Sequence, residues 1–317
     1  MPGVWQVGII AHSMTAKVSL VVPIYNTAGY LKKALTALTG QSYQNIEIIC
    51  VDDGSTDGSL ELVRAYASSD QRIKLLAQKH RGPASARNLG LDRATGKYLT
   101  FVDSDDWCEK TYVEKLLRGM EKEKADVVMG DFEVTYENGV KRPDFFMPKP
   151  FENRGRLSVQ DNFYELVSNV ILWGKLFKKS LVDKYGIRFP DGREHDDAAF
   201  VIQYLSVAKI YANVPEKLYN YVVRADSVMD KAYTKHDFEG RQFDLLHVAT
   251  FIYDFMERNQ LLERYGVFVK GFAHLAFMCV VKGYSITEAD IPVACKLYHQ
   301  LTRRWSVGDG ATAETDD

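Results

Sequence analysis

The chain has 317 residues and a formal net charge of −2, with 46% hydrophobic and 26% charged residues. This composition is typical of a globular protein with a buried core, and it excludes disordered, fibrous and collagen-like chains. The near-neutral charge argues against a protein that binds nucleic acid through bulk phosphate attraction, and the length predicts one large domain with appendages or two domains.

The N-terminus and the cysteines bear on the compartment in which the chain works. Residues 1–16 lack the basic start of a secretory signal, and we interpret them as a disordered leader. The four cysteines form no CxxC pair, which favours reduced thiols in a cytoplasm over a disulfide framework or a zinc ribbon. The best candidate for a membrane span, residues 267–281, is short and is interrupted by Lys270 and His274, so none is predicted.

Strands and helices alternate over the first third of the chain. The apolar runs predict strands at 18–23, 46–51, 72–77 and 98–102, and the helical spacings predict helices at 30–39, 60–67 and 83–92. This alternation predicts a mostly parallel sheet with helices on both faces. Ligands bind such sheets at the carboxyl ends of the strands, where this chain places three polar clusters: Tyr25-Asn26, Asp52-Asp53 and Asp103 to Asp106.

The pattern becomes mixed after Asp126. We predict a strand over 126–136, a polar loop over 137–156 and then a helix through Val170. From His236 to Leu301 the pattern is helical, with one apolar stripe: Phe238, Leu245, Val248, Ile252 and Phe255. The small and acidic residues at the C-terminus predict a disordered tail.

The predicted strand over 98–102 is followed by up to three carboxylates at one edge of the sheet. Such charges repel one another unless a cation compensates them, and the Asp-x-Asp spacing of Asp103 and Asp105 suits Mg²⁺ or Mn²⁺ carrying a diphosphate. The alternative is that one carboxylate caps the following helix, with Asp106 as the candidate.

Two further segments could contact a nucleotide. Asp53, at the end of the second strand, could accept hydrogen bonds from a base N–H or from ribose hydroxyls, whereas turn and capping chemistry explains Asp57 better. Arg87 lies on the helix opened by Gly82-Pro83, where it could meet a negatively charged group or pair with a neighbouring aspartate.

Asp196 and Asp197 precede an apolar helix. Their charges favour the helix dipole, but a partly buried carboxylate here could also act as a general base. Two segments, 173–179 and 219–227, mix aromatic and basic residues that could stack on a sugar or neutralise a leaving diphosphate, although most of these aromatic residues are expected to belong to the core.

Six segments, in this order and spacing, resemble glycosyltransferase family 2, the inverting nucleotide-sugar enzymes of GT-A fold: VSLVVPIYN, IEIICVDDGSTDGS, GPASARNLG, YLTFVDSDDW, WGKLF and HDDAAF. The resemblance covers residues 17–227 and is nearest to bacterial enzymes that extend polysaccharides. It implies a Rossmann-like GT-A domain over 17–235, with a nucleotide-binding half at about 17–106 and an acceptor half at about 107–235. A helical C-terminal region over 236–305 and a tail over 306–317 follow.

The resemblance also implies roles for individual residues. Those on the nucleotide side are Pro23 and Tyr25 at the base, Asp53 at the uracil or ribose, Arg87, Asp103, and Arg224 with Ser227 near the diphosphate. Asp105, with Asp103, would bind the metal, and Asp197 would be the catalytic base, in a motif that is usually Glu-Asp and is Asp196-Asp197 here. Trp173, Lys175 and Asp196 would lie on the acceptor side. His80 stands where many members have Asn.

The function implied is metal-assisted, inverting transfer of a sugar, with a UDP-sugar favoured as donor, to a hydroxyl of a growing glycan or a lipid-linked acceptor. A sugar nucleotidyltransferase, or a non-catalytic module that binds a nucleotide sugar, is the alternative. No nucleic-acid partner is expected. The C-terminal helices could form a homodimer or contact a membrane peripherally, at its inner face, through scattered lysine and arginine residues.

Overall fold

The computed structural model describes residues 15–137, 155–224 and 241–282, together with 295–296, 298–299 and 301–302. The predicted C-terminal tail and residues 1–14 of the predicted leader lie outside these ranges. Thr15 and Ala16, the last two residues of that leader, are held to the domain, because their carbonyl oxygens accept hydrogen bonds from the side chains of Asn45 and Tyr43.

The alternating pattern predicted for the first third is confirmed. Its elements are β1 (Val18–Ile24), α1 (Ala28–Thr39), β2 (Ile46–Asp52), α2 (Ser59–Ser69), β3 (Ile73–Ala77), α3 (Pro83–Arg93) and β4 (Tyr98–Phe101). The four strands are parallel, in the order β3-β2-β1-β4. Every residue of β1, β2 and β4 is buried, as expected for continuous apolar runs in a sheet covered on both faces.

The second part of the chain extends the same sheet. Its elements are β5 (Trp107–Cys108), α4 (Tyr112–Glu123), β6 (Val127–Tyr136), β7 (Arg156–Ser158), α5 (Phe163–Leu166), β8 (Lys175–Lys178), α6 (Lys179–Tyr185), α7 (Asp196–Val207) and β9 (Ile210–Val223). The order continues β4-β8-β6-β9-β5, and β7 pairs with β9. β8 is antiparallel to β4 and β6, whereas β9 is parallel to β6. The sheet is therefore parallel in its first half and mixed in its second.

One predicted helix is wrong, and four strands were not predicted: β5, β7, β8 and β9. The segment leading to Val170 contains β7 and the single helical turn α5, not a continuous helix. β8 has only four residues, and β9 is interrupted by the exposed residues 215–217, so neither has a clear alternating pattern. Register shifts around Asp131, on the paired strand β6, accommodate this interruption.

Two helices, α8 (Arg241–Arg258) and α9 (Leu262–Lys282), form the helical region predicted after residue 236. The predicted apolar stripe is buried at Val248, Ile252 and Phe255, where α8 packs against α7, while Leu246 is buried in place of the predicted Leu245. Phe238 lies outside the described residues. Within the described ranges, no helix combines the length and the apolar character that crossing a membrane requires.

A close helix–strand contact brings α3 to the carboxyl edge of the sheet. Gly90 of α3 lies against Val21 of β1, and a β-carbon at this position would collide with the valine side chain. The glycine therefore lets the helix approach the strand closely. One turn earlier on the same helix, Arg87 is buried beside the strand ends.

A buried carboxylate holds the opposite end of the sheet together. Glu47 of β2 accepts hydrogen bonds from Ser19 Oγ (2.6 Å), the Thr95 N–H (2.7 Å) and Lys74 Nζ (2.6 Å), and it pairs with Lys17 at 3.0 Å. Burial opposes ionisation of Glu47, but these donors outweigh it and lower the pKa to about 2. The ionised side chain thus connects β1, β2 and β3.

We expect Glu47→Gln to lower the free energy of unfolding by about 2–3 kcal/mol at pH 7, measured by urea denaturation. Because folding lowers this pKa from 4.5 to about 2, the stabilisation is present above pH 4.5 and is lost as the pH falls towards 2. The difference between wild type and variant should therefore close over that range. Glu133→Gln, which breaks the exposed pair with Lys217 (3.2 Å), is the control and should change stability by about 0.5 kcal/mol or less. Equal effects of the two variants would contradict the role given to Glu47.

Candidate active site

The loop after β4 carries three aspartates that have different partners. Asp103 accepts a hydrogen bond from Arg87 Nη2 (3.2 Å), and Asp105 accepts one from Arg224 Nε (2.7 Å). Asp106 is buried, and its two carboxylate oxygens accept hydrogen bonds from Tyr219 Oη (2.8 Å) and the Val222 N–H (2.7 Å). Asp106 thus fastens the loop to β9, and the helix-capping role considered for it is wrong.

Tyr219 contacts both the loop after β4, called the acidic loop below, and the ring of Trp173. Its hydroxyl accepts a hydrogen bond from the Asp103 N–H (3.1 Å) and donates one to Asp106. The indole of Trp173 lies parallel to the rings of Tyr219 and Tyr221, with centroids 4.7 and 5.2 Å away. Burial raises the pKa of Tyr219 well above its usual value, and the nearby Asp106 and Asp103 raise it further, so this hydroxyl stays protonated. Trp173 is buried and stabilises the acidic loop indirectly, by packing against Tyr219.

Arg87 connects the loop after β4 to the first turn of α7, which contains Asp196. Its Nη1 donates to Asp196 (2.6 Å) and its Nη2 to Asp103 (3.2 Å), and both Arg87 and Asp196 are buried. Burial alone would lower the pKa of Arg87, but Asp196, Asp103 and Asp197 raise it, so the guanidinium stays charged. Of the two alternatives left by the sequence, Arg87 takes the aspartate pairing.

Asp197 lies in the first turn of α7, beside this ion triad. Its Oδ1 accepts a hydrogen bond from the Ala198 N–H (2.8 Å). Burial and the neighbouring charge of Asp196 raise the pKa of Asp197 to about 6, and Arg87 limits the rise. A carboxylate with this pKa is ionised at neutral pH and is more basic than an exposed aspartate, as a general base requires.

The loop before α7 is fastened to α3 by Asn88, a residue for which the sequence predicted no role. The Asn88 side chain donates to the Phe189 carbonyl (2.9 Å) and to Asp191 (3.1 Å), and it accepts the Phe189 N–H (3.0 Å). Arg87 and Asn88 are adjacent on α3, so one short segment of helix holds both the loop and Asp196. In the sequence, the only indication of this role is an asparagine that directly follows the arginine, in a helix of mostly small residues.

Asp53 has all four of its acceptor positions occupied. Oδ1 accepts from Gln78 Nε2 (2.7 Å) and the Arg81 N–H (2.9 Å), while Oδ2 accepts the Gly82 N–H (2.8 Å) and lies 2.8 Å from His80 Nδ1. Because a carboxylate has about four lone-pair sites, the protein itself saturates this group. The buried Asp53 therefore shapes the loop that leads into α3.

The exposed surface next to Asp53 is aromatic. Tyr25, which is 44% exposed and follows the buried strand that contains Pro23, stacks on His80 with ring centroids 4.0 Å apart and an interplanar angle of 19°. Asp57, the predicted cap, accepts hydrogen bonds from the Ser59 and Ala28 N–H groups and so holds the starts of α2 and α1.

Arg224 lies at the outer side of the acidic loop. In addition to its ion pair with Asp105, its guanidinium lies over the ring of Tyr30 at 5.1 Å, and the Tyr30 hydroxyl donates to Glu137 (2.7 Å). These contacts connect α1, which contains Tyr30, to Glu137 at the end of β6 and to Arg224 at the end of β9. Ser227, predicted to act with Arg224, lies outside the described residues.

Lys175 at the start of β8 is buried. Its ammonium group donates to the Ile171 carbonyl and lies 3.4 Å from the carbonyl and side-chain oxygens of Asn169. Burial lowers the pKa of Lys175 to about 7, and Asp197 raises it again in part. Lys175 therefore holds the loop before β8 rather than presenting its charge to solvent.

Most of the predicted site residues lie in one region, at the carboxyl edge of the sheet. Hydrogen bonds connect Asp103 to Asp196 through Arg87, and connect Asp105 to Arg224. Within the described ranges, no three His, Cys, Asp or Glu side chains lie close enough together to form a metal site on their own. Asp103 and Asp105 each use one carboxylate oxygen within the described part of the chain, which leaves Oδ2 of Asp103 and Oδ1 of Asp105 available.

A family model and the relatives of known name identify the same family for this chain. The sequence model described as Glycosyl transferase family 2 matches residues 19–186. Glycosyltransferase GlyG of Streptococcus pneumoniae is 34% identical over 298 residues, which are 91% of this chain and 92% of GlyG. Glycosyltransferase GlyA of the same organism is 35% identical over 224 residues, which are 67% of this chain and only 31% of GlyA.

The fold is also found among solved structures. S. aureus TarS 1-349, solved in complex with UDP-GlcNAc, superposes with a TM-score of 0.67 and 21% identity, covering 89% of this chain and 79% of that one. At this identity the likeness concerns the fold, which is that of the GT-A enzymes.

We expect Arg87→Met to lower the free energy of unfolding by about 3–5 kcal/mol, because it leaves the buried Asp196 and the half-buried Asp103 without a compensating charge. Urea denaturation at pH 7 measures the effect. Arg81→Met is the matched control: Arg81 also pairs with an aspartate, Asp191 at 3.0 Å, but the two side chains are 62% and 51% exposed. Its effect should stay below about 1 kcal/mol. A similar loss in both variants would contradict the importance given to the triad.

Proposed function

The chain belongs to glycosyl transferase family 2, and from this premise we propose that it transfers a sugar from a UDP-sugar to a hydroxyl group of a glycan or a lipid-linked acceptor, with inversion at the anomeric carbon. The observation that carries the proposal is the ion triad Asp103–Arg87–Asp196, which connects the acidic loop after β4 to the first turn of α7. It brings a candidate diphosphate site and the candidate base Asp197 to one edge of the sheet.

The proposed donor site lies along the ends of β1, β2 and β4. Tyr25 and His80 offer an exposed stacked surface for the base, beside the buried Pro23. Asp53 would act on the nucleotide through the Arg81-Gly82 loop that it fixes, since its own acceptor positions are filled. TarS, which shares the fold, was solved with UDP-GlcNAc, and this supports a UDP-sugar as the donor here.

The residues present fit a divalent cation that is shared with a diphosphate. Mg²⁺ and Mn²⁺ prefer oxygen ligands, and Mg²⁺ is commonly bound by one or two carboxylates together with substrate phosphates. Asp103 and Asp105 would hold the ion through Oδ2 and Oδ1, the oxygens that described residues leave available. Such an ion would stabilise the negative charge that develops on the leaving nucleoside diphosphate.

Arg224 is the proposed second source of positive charge for the diphosphate. Its guanidinium lies at the acidic loop and is half-buried, where a charge acts more strongly than in bulk water. Arg87 has a different proposed role, because both of its terminal nitrogens already bind carboxylates. It would contribute to the donor side by fixing Asp103.

In the proposed reaction, Asp197 accepts the proton of the acceptor hydroxyl as the oxygen of that group attacks the anomeric carbon. The bond between this carbon and the diphosphate oxygen breaks on the opposite face, and the diphosphate leaves with the electron pair. Product formation thus needs no covalent intermediate. Arg87 holds Asp196 in place through their hydrogen bond, and burial of Asp197 makes it basic enough to take the proton.

The acceptor side is proposed to lie over the residues that support Asp197. Lys175 and Trp173 would shape it indirectly, by holding the loop before β8 and the ring of Tyr219. A lipid-linked acceptor would place the enzyme at the inner face of a membrane. A homodimer through the C-terminal helices also stays a prediction.

We expect UDP to bind more tightly in the presence of Mn²⁺, and we expect Asp105→Ala to abolish this increase while weaker, metal-independent binding persists through Arg224. Isothermal titration calorimetry of UDP with and without Mn²⁺ measures both. Asp92→Ala, which removes an exposed aspartate paired with Arg188, is the control and should retain the full metal effect. An unchanged metal effect in Asp105→Ala would exclude this residue as a ligand.

We expect Asp197→Asn to lower kcat by about 10²–10⁴-fold while the affinity for UDP-sugar stays within about two-fold of wild type, because the asparagine cannot take the proton. In the wild type, kcat should rise with pH through about 6, where Asp197 loses its proton. Asp183→Asn, on the exposed side of α6, should behave as wild type. If Asp197→Asn kept its turnover, the general-base role would be wrong.

A further inference from the structure

The C-terminal helical region contacts the turn that precedes Asp196. Asp244, in the first turn of α8, accepts the Glu194 N–H on Oδ2 (3.0 Å) and the Arg193 guanidinium on Oδ1 (3.0 Å). The Asp244 side chain is only 16% exposed, whereas that of Arg193 is 39% exposed. A single carboxylate from outside the GT-A domain therefore binds two successive residues of this turn.

The turn needs external support, because its backbone is in an unfavourable conformation. His195, between Glu194 and Asp196, has a φ of +60°, in the left-handed region that residues other than glycine seldom adopt. Such a conformation persists where the surrounding contacts determine it. The Asp244 contact with the Glu194 N–H is made at the residue directly before this position.

The first turn of α7 is thus held from two sides. On the sheet side, Arg87 binds Asp196. On the other side, Asp244 binds Arg193 and Glu194. Asp197 binds neither Arg87 nor Asp244 by a hydrogen bond among the described residues. Its position therefore depends on the contacts that these two residues make with its neighbours Asp196, Glu194 and Arg193. A displacement of about 1 Å in a reacting group can cost about 100-fold in rate.

We propose that Asp244 is a positioning residue for the catalytic carboxylate, so that the C-terminal helices complete the active site of the GT-A domain. The inference rests on the proposed function, in which Asp197 is the base. Within the described residues, the hydrogen bonds of Asp244 go to Arg193 and Glu194 and none goes to the acidic loop, so its effect should appear in the chemical step and not in nucleotide binding.

Three variants separate the two contacts of Asp244. Asp244→Ala removes both. Asp244→Asn keeps an oxygen that accepts the Glu194 N–H but loses the charge, and Arg193→Met removes only the partner of that charge. We expect kcat to fall about ten-fold in Asp244→Ala and about three-fold or less in the other two variants. The Kd for UDP should stay within about two-fold of wild type in all three. Asp183→Ala is the control, since Asp183 also pairs with a basic side chain, Lys179, but lies on α6.

Hydrogen–deuterium exchange of the full chain tests the same inference without relying on turnover. Asp244→Ala should speed the exchange of amides 194–200 at least ten-fold, whereas Asp244→Asn and Asp183→Ala should leave it close to wild type. Unchanged exchange in Asp244→Ala would overturn the inference, as would faster exchange with an unchanged kcat. Failure of the wild type to bind UDP or any UDP-sugar would instead count against the proposed function, and the exchange measurement would still decide whether Asp244 holds the turn.

Discussion

The ion triad of Asp103, Arg87 and Asp196 is the interaction on which the rest of the site depends. It joins residues that are 16 and 109 positions apart in the chain, and both its arginine and Asp196 are buried. Two carboxylates could not remain charged so close together without the guanidinium between them. The arginine therefore fixes the loop after β4 and the start of α7 relative to each other. Asp197 and the carboxylates proposed to bind the metal take their positions from these two elements.

Arg87 reaches this position because of local sequence features of α3. Gly82 and Pro83 start the helix, and Gly90 lets it approach β1 closely. The adjacent Asn88 binds the backbone of the loop at Phe189, on the way to α7. One helical turn thus carries both a charge that connects two acidic segments and an amide that orders the loop between them. This turn therefore connects the loop after β4 to the loop that precedes α7.

The predictability of the fold from sequence differs between its two halves. β1, β2 and β4 are continuous apolar runs whose side chains are buried on both faces, so composition and spacing alone indicate them. β8 has four residues and β9 has an exposed polar interruption, so their pairing depends on partners far along the chain, which periodicity does not show. The candidate residues Asp103, Asp105 and Asp197 follow from motifs at strand and helix ends. Asp106, Asn88 and Asp244 do not, because their partners are about 50 to 116 residues away.

The ion pair between Arg224 and Asp105 has a thermodynamic consequence. A cation bound to Oδ1 of Asp105 would be repelled by the guanidinium of Arg224, which contacts Oδ2 of the same carboxylate at 2.7 Å. An anion bound to the guanidinium would offset this repulsion. If a cation and an anion bind here as proposed, the two are coupled, and by linkage each raises the affinity for the other by the same factor. The two ligands would then bind together more tightly than either one alone.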